Sequence, residues 1–418
     1  MRLGTAFLRQ TAIELRASYW FIPAALVLCA IALSFALGWV DRHPWVTSFL
    51  PDGFFSAKPE DARATLGVIA SASIGVAGVM FSITIVAVTF ASGQHGPRLI
   101  GNFMRDRGAQ WSLGILMATF VFALMVLRAV EGAGPGANSH AYVPQVSLWT
   151  ALILSLMSVG TTIYFIHHVP DTIDIANLIA ALGRQLCLRV RQPDLVVPEA
   201  ARGLRPEREQ PVWEVKAGKP GYVRAVDPDG MAEIAVRESL RITLLAPPGS
   251  FVSSAEAAFR VEGGPPADEI AAALRKTIAI GEGKTVEQNT LFLVEQLVEM
   301  AARALSPGVN DPFTAVYCMN WLHAALIARL EAGEEEPEKA EMEEEEEPGL
   351  VVLPRLSWRE LLEQSLGACL PYARPDPLAG AALRKLLGRL HGHAAGPDKA
   401  AVSRLLKRLE APQEGDRT

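Results

Sequence analysis

The chain has 418 residues, 50% hydrophobic, 20% charged and 7% aromatic, with a mean hydropathy of +0.22. Average soluble proteins carry about 25% charged residues, so this one is charge-poor and apolar. Its net charge of −6 has one source: residues 331–347 hold eleven Glu and one Lys, a local −10, and the remainder sums to +4. A near-neutral, slightly basic remainder argues against a dedicated nucleic-acid binder. Cys29, Cys187, Cys318 and Cys369 lack CxxC spacing, which indicates neither a disulfide framework nor a zinc site.

The apolar residues concentrate in four blocks, at about 19–40, 66–91, 111–130 and 146–166. Each has roughly 20 or more residues, enough to cross a hydrocarbon core of about 30 Å at 1.5 Å per residue. None contains Asp, Glu or Lys, and Arg128 sits near enough to an end to snorkel. Tyr19, Trp20, Trp39, Trp111, Trp149 and Tyr164 flank them as an interfacial belt. The first block exceeds the roughly 7–15 residues of a signal-peptide core and is read as a retained span. Residues 1–170 are therefore expected to form a four-span domain in the bilayer.

Orientation follows from the basic residues. Arg2, Arg9, Arg16, Arg98, Arg105, Arg107, Arg184 and Arg189 lie on one side, against Arg42, Lys58 and Arg63 on the other. Eight against three predicts that both termini are cytoplasmic.

The second block is compositionally distinct. Ser71, Gly75, Gly78, Ser82, Ile85 and Thr89 step by four and three residues, so they share one helical face. Small and hydroxyl side chains suit close helix–helix packing, since lipid supplies no hydrophobic drive. They also suit a narrow, uncharged water-lined path. Ser71, Gly75, Gly78, Ser82 and Thr89 are the pore-lining or packing candidates.

The stretch ITIVAVTFASGQHGPRLIGNFMRDRG follows, and SYWFIP, GYVRAVD and ALSPGVNDPFTA stand at 18–23, 221–227 and 304–315. Together they resemble a family of predicted bacterial inner-membrane proteins known only as a domain of unknown function. The resemblance reaches to about residue 330 and implies a multi-pass protein with a cytoplasmic tail and no assigned activity. Two positions depart from the family pattern: Lys284 stands where Arg is usual, and Asn289 where Asp is usual.

Residues 171–205 read as a connecting helix and linker, with Asp171 placed to cap after Pro170. From 206 to 264, short alternating runs (VWEVKA, GYVRAV, IAVR, RITLLA, FRVE) are separated by KPG, DPDG and PPGS. That pattern predicts a small all-β module, with a barrel-like closure to remove its edges. The fold class is thus membrane α-helical followed by a cytoplasmic α+β region.

Residues 265–333 return to helical periodicity. GEGKT at 281–285 imitates a phosphate-binding loop, but Ile278 occupies the position of the required first Gly. A capping box between Thr285 and Gln288, opening a helix that runs to about Leu305, explains it better. In ALSPGVNDPFTAV, Gly308 ends one helix while Asp311 caps the next, with Pro312 at its first position. Asn310, Asp311 and Thr314 then cluster at a helix N-terminus, either as a rigid corner or as a site for a small ion or other anion. Residues 334–349 are expected to be an acidic disordered loop, and 350–418 amphipathic helices packed on the helical domain.

His95, His167, His168, His391 and His393 are read as interfacial, solvated side chains and not as metal ligands. HExxH, GxSxG and paired intramembrane carboxylates are absent, so no catalytic residue or cofactor is assigned and the protein is read as a non-enzyme. A carrier is disfavoured because no ionisable group lies mid-membrane. Two readings survive: an oligomeric channel or transport protein with a regulatory tail, or a membrane-anchored sensor or scaffold whose tail binds a partner. The partners expected are the lipid bilayer and further copies of the chain.

Overall fold

The computed structural model describes residues 20–43, 58–95, 106–131, 142–202, 211–333 and 350–411. The chain divides into two compact units, with the boundary between Asp174 and Ile175.

In the first unit, four helices are long and apolar enough to cross a membrane. They are α1 (Phe21–Asp41), α2 (Pro59–His95), α3 (Arg107–Ala129) and α4 (Gln145–Ile173). Helix α3 packs against each of the other three and carries the most buried stripe, including Leu116, Phe122, Ala123 and Val126. Leu66, Ile69 and Ala70 of α2 and Leu148 and Ala151 of α4 close around it. Close approach is set by Gly114: a Cβ there would lie 2.7 Å from a Leu26 methyl and 3.1 Å from the Pro23 backbone. Inside the bundle Ser158 Oγ of α4 donates to Thr119 Oγ1 of α3 at 2.9 Å.

The ends of the spans are pinned by charge. Pro144 precedes α4 and has no side-chain acceptor, so Asp41 from the end of α1 does the capping. Its carboxylate accepts from Val146 N at 2.8 Å, Ser147 N at 3.1 Å and Ser147 Oγ at 2.6 Å. Arg63 in α2 donates to the Val130 carbonyl at the end of α3, at 2.8 Å. At the opposite end Asp106 caps α3 through Gly108 N and Ala109 N and also pairs with His168 of α4 at 3.0 Å.

Asp171 does not open a new helix after Pro170. Helix α4 continues through Pro170 to Ile173, and Asp171 lies inside its last turn, 3.8 Å from His167. A proline forfeits only its own donor, and the turn carries on around it.

The second unit opens with α5 (Ile175–Arg189). Its strands are β1 (Val212–Lys216), β2 (Gly221–Val226), β3 (Arg241–Leu244), β4 (Phe251–Val252), β5 (Ala257–Glu262), β6 (Ile278–Gly281) and β7 (Val351–Val352). They make two sheets and no closed barrel: β1-β5-β3-β7 and β4-β2-β6, antiparallel except for the β3–β7 pair. The expected barrel fails for two reasons visible in the chain. A helix, α6 (Pro228–Glu238), interrupts the run: DPDG is its N-terminus, with Asp227 accepting from Gly230 N and Pro228 in the first turn. IAVR, read as a strand, lies in this helix, which buries Met231, Ala232, Ile234 and Ala235 at helical spacing. Further, β6 falls in the stretch read as helical and completes the second sheet beyond residue 264.

The core between sheets and helices holds Val223, Met231, Ile242, Phe259 and Leu274. Helix α7 (Asp268–Arg275) precedes β6; α8 (Thr290–Ala304) and α9 (Pro312–Glu331) form an antiparallel pair with α5 against them. Gly183 of α5 is the contact point: a Cβ there would lie 2.2 Å from the Trp321 ring. After residue 350 come α10 (Trp358–Leu362), a π-helical turn (Glu363–Gly367), α11 (Ala368–Ala373), α12 (Pro377–His393) and α13 (Gly396–Glu410). Helix α12 packs on α9, and Trp358 is buried with Nε1 donating to the Leu326 carbonyl at 3.1 Å. The acidic segment 334–349 lies outside the described residues.

Removing the Asp41 carboxylate leaves two backbone N–H groups and a hydroxyl without that acceptor. Asp41→Ala should lower stability by about 1–2 kcal/mol. Thermal unfolding in lipid nanodiscs reads this as a lower melting temperature, and Asp41→Asn should recover part of the loss.

His323 of α9 is half-buried, and its Nε2 has no hydrogen-bond partner. Burial, with Arg389 and His393 nearby, pushes its pKa below the ordinary 6.5. The unfolded chain therefore binds this proton more readily than the folded one, so stability falls as pH drops through 6.5. Urea unfolding of the full chain at pH 5 and 7.5 should show that loss, and His323→Gln should shrink it.

Candidate functional site

Helix α2 carries two stripes of small residues on nearly opposite faces. Ser73, Ala77, Met80 and Thr84 are buried against the bundle. Ser71, Gly75, Gly78 and Ser82 each lie two residues earlier, about 200° around the helix, and all four are exposed, as is Thr89. A Cβ built at Gly75 or Gly78 meets nothing within 4 Å. The stripe therefore points away from the helices of its own bundle. Its hydroxyls are satisfied locally, Ser82 Oγ donating to Gly78 O at 3.0 Å and Thr89 Oγ1 to Ile85 O at 2.8 Å. The flanks, Ile74, Val79, Phe81, Ile83 and Val86, are exposed and apolar, as suits a surface toward lipid.

The corner between α8 and α9 brings Asn310, Asp311 and Thr314 together. Asn310 takes a left-handed conformation with φ 51°, and Gly308 does not; the chain reverses at the Asn. Asp311 caps α9, accepting from Thr314 N at 3.1 Å and from Thr314 Oγ1 at 2.6 Å. Its own carboxylate thus occupies the helix N-terminus where a free anion would sit. Beyond the corner, Val309, Phe313 and Tyr317 recur at four-residue spacing and are 46%, 63% and 51% exposed.

The GEGKT stretch is stitched to β2. Lys284 pairs with Glu295 and lies 5.7 Å from the centre of the Tyr222 ring. No capping box forms: Thr285 Oγ1 donates to the Arg224 carbonyl at 3.1 Å. Gln288, at φ 54°, accepts from Val226 N at 2.8 Å and donates to Val226 O at 3.0 Å, standing in for a strand partner. Asn289 caps α8 by accepting from Phe292 N, and Asp194 accepts from Thr290 N at 2.9 Å and Thr290 Oγ1 at 2.7 Å. The amide at position 289 therefore does a cap's work, which needs an acceptor but no charge.

Among the described residues no three of His, Cys, Asp or Glu gather as a metal group would require. His167 is solvated as expected; His168 is not, being largely covered, paired with Asp106 and stacked on Tyr164 with ring centres 5.0 Å apart. Burial pushes the Cys369 thiol up to about 12 and that of Cys318 higher still, so neither supplies a thiolate at neutral pH.

The chain matches the family described as predicted membrane protein (DUF2254) over residues 16–389. It belongs to that family. Uncharacterised proteins of Mycobacterium bovis and Mycobacterium tuberculosis are each 27% identical over 396 residues, spanning 92% of this chain and 74% of the relative. No solved structure matches it.

This member of DUF2254 holds its spans together with residues that sequence reasoning missed: Asp41, Arg63, Asp106 and the Asp106–His168 pair. Apart from the local cap that Asp106 makes on α3, their partners are 62 to 106 positions away, beyond any local pattern. Two of them had a signal in the composition, since acidic residues at the ends of apolar blocks are few.

Asp311→Ala should cost about 0.5–2 kcal/mol as a lost cap. Asp311→Ser should restore most of it in thermal unfolding of the full chain. Restoration by Ser of stability but not of the cellular phenotype of a deletion strain would assign the carboxylate a role beyond capping.

Proposed function

We infer that this protein is an oligomeric channel or transport protein of a bacterial inner membrane, with both termini and the second unit on the cytoplasmic side. The observation that carries the reading is the outward stripe of α2. Small residues at 71, 75, 78 and 82 are exposed, and no helix of the same bundle covers them. Facing lipid, bare backbone and hydroxyls gain nothing; facing another α2, they allow the close approach that stabilises transmembrane association. Around a closed ring of subunits they would also form an uncharged, hydroxyl-dotted lining for a small ion. The second unit then regulates the path.

The runner-up is a sensor or scaffold. It is favoured by the exposed Val309, Phe313 and Tyr317, since apolar side chains clustered on a surface mark interaction sites.

Cysteine at position 75, 78 or 82 separates the readings. A lined path predicts modification by small water-soluble thiol reagents, a matching change in ion flux in proteoliposomes and a closed oligomer in detergent. A monomer labelled at these positions only by lipid-soluble reagents would defeat the channel reading and leave the scaffold.

A further inference from the structure

A concavity of the membrane unit lies between the start of α3 and the end of α4. Its volume is about 550 Å³ and it is lined by Arg107, Trp111, Ile115, Met157, Gly160 and Tyr164 among others. Arg107, Trp111 and Ile115 follow at four-residue spacing along one face of α3. Met157, Gly160 and Tyr164 step by three and four residues along one face of α4, which runs the other way. From Arg107 to Ile115 the groove is about 12 Å deep at 1.5 Å per residue. One leaflet of hydrocarbon is about 15 Å thick, so the groove has the depth of a single leaflet.

Its two ends differ chemically. At the mouth Arg107 is exposed and makes no ion pair among the described residues. The neighbouring acid, Asp106, already accepts from two backbone N–H groups and from His168. The second histidine at this end, His167, faces Asp171 out in solvent. The mouth therefore presents an exposed guanidinium without an ion-pair partner among the described residues, flanked by half-exposed Trp111 and Tyr164, residue types that favour headgroup depth. Deeper in, the walls are mainly apolar, with Ser112 and Thr161 among them, and the groove is open at Gly160, where a Cβ would meet nothing within 4 Å.

We propose that this groove holds one acyl chain of an anionic phospholipid, with Arg107 on the headgroup phosphate. A second copy of the chain fits less well. A docked span would run the full hydrocarbon thickness, whereas this groove ends after two helical turns, where an acyl chain in one leaflet ends. A cationic mouth also selects a phosphate over the neutral side chains a packed helix would bring. One basic group near an anionic lipid surface accounts for about a fivefold preference.

The test uses the full chain in nanodiscs of equal phosphatidylglycerol and phosphatidylcholine. It is released into mild detergent, and retained lipids are counted by native mass spectrometry. The wild type should keep phosphatidylglycerol in preference. Arg107→Gln should lower phosphatidylglycerol retention about fivefold and leave phosphatidylcholine unchanged. Gly160→Leu, which fills the groove, should lower both, and Met157→Trp fills it from the adjacent turn should Gly160→Leu fail to fold. Unchanged phosphatidylglycerol retention in Arg107→Gln overturns the headgroup contact. A loss in Arg107→Gln with no loss in either filler overturns the groove as its place. A disulfide between two copies carrying Thr161→Cys identifies the groove as a subunit contact and overturns the lipid.

Discussion

A helix inside a bilayer satisfies its own backbone except at its two ends, where four donors or four acceptors are left over. The whole membrane unit is arranged around that remainder. Helix α4 begins after a proline, and its free donors are taken by a carboxylate 105 residues upstream. Helix α3 ends at Val130, whose carbonyl is met by an arginine from α2, and begins at Asp106, whose carboxylate also reaches α4. Each tie meets a helix end and also fastens one span to another. Charged hydrogen bonds are worth about 1.5–3 kcal/mol each, more than an apolar contact of the same size gives between helices already surrounded by lipid. The charges sit at the ends because the middle would not tolerate them, and their position lets them set the register of the bundle.

With the ends fixed, the middle needs only shape. Gly114 lets α1 approach α3, and Thr119 meets Ser158 across the α3–α4 contact. On α2, Ala77 and Ser73 do the same on the buried face. The opposite face repeats this composition, and a Cβ at Gly75 or Gly78 would meet nothing within 4 Å among the described residues. A helix whose only task was to fill one bundle would carry branched apolar residues there, as it does at Val79 and Val86. The second small face is the feature on which the proposed association rests.

How much of this was legible depended on how local the cause was. The four spans announce themselves because each is a run of about 20 residues with no Asp, Glu or Lys and at most one Arg near an end. Asp311 and Pro312 announce a helix start because cap and first turn are adjacent in sequence. The α2 stripe was legible as a period but not as an outward face, because its direction depends on which face α3 and α4 cover. The sheets were misread where the signal was short. Strands β4 and β7 have two residues each, β6 has four, and a segment such as MAEIAVRE serves helix and strand patterns alike until Asp227 and Pro228 are read as a cap. Gln288 was assigned to a capping box by spacing alone, while in the fold its amide pairs with the β2 backbone. The competing partner was 62 residues away.

The two open features of the membrane unit make different physical demands. The α2 stripe runs several turns through the hydrocarbon and is small and uncharged throughout, so whatever meets it must be shaped like a helix or be water itself. The groove beside Arg107 is short, apolar inside and cationic at the rim, so its occupant must be thin, apolar at one end and anionic at the other. The former description fits another copy of α2 around a common axis; the latter fits a phospholipid. Under the two proposals, the membrane unit meets another copy on one side and a lipid headgroup on another. The lipid contact then contributes to how the spans sit in the leaflet independently of how many copies assemble.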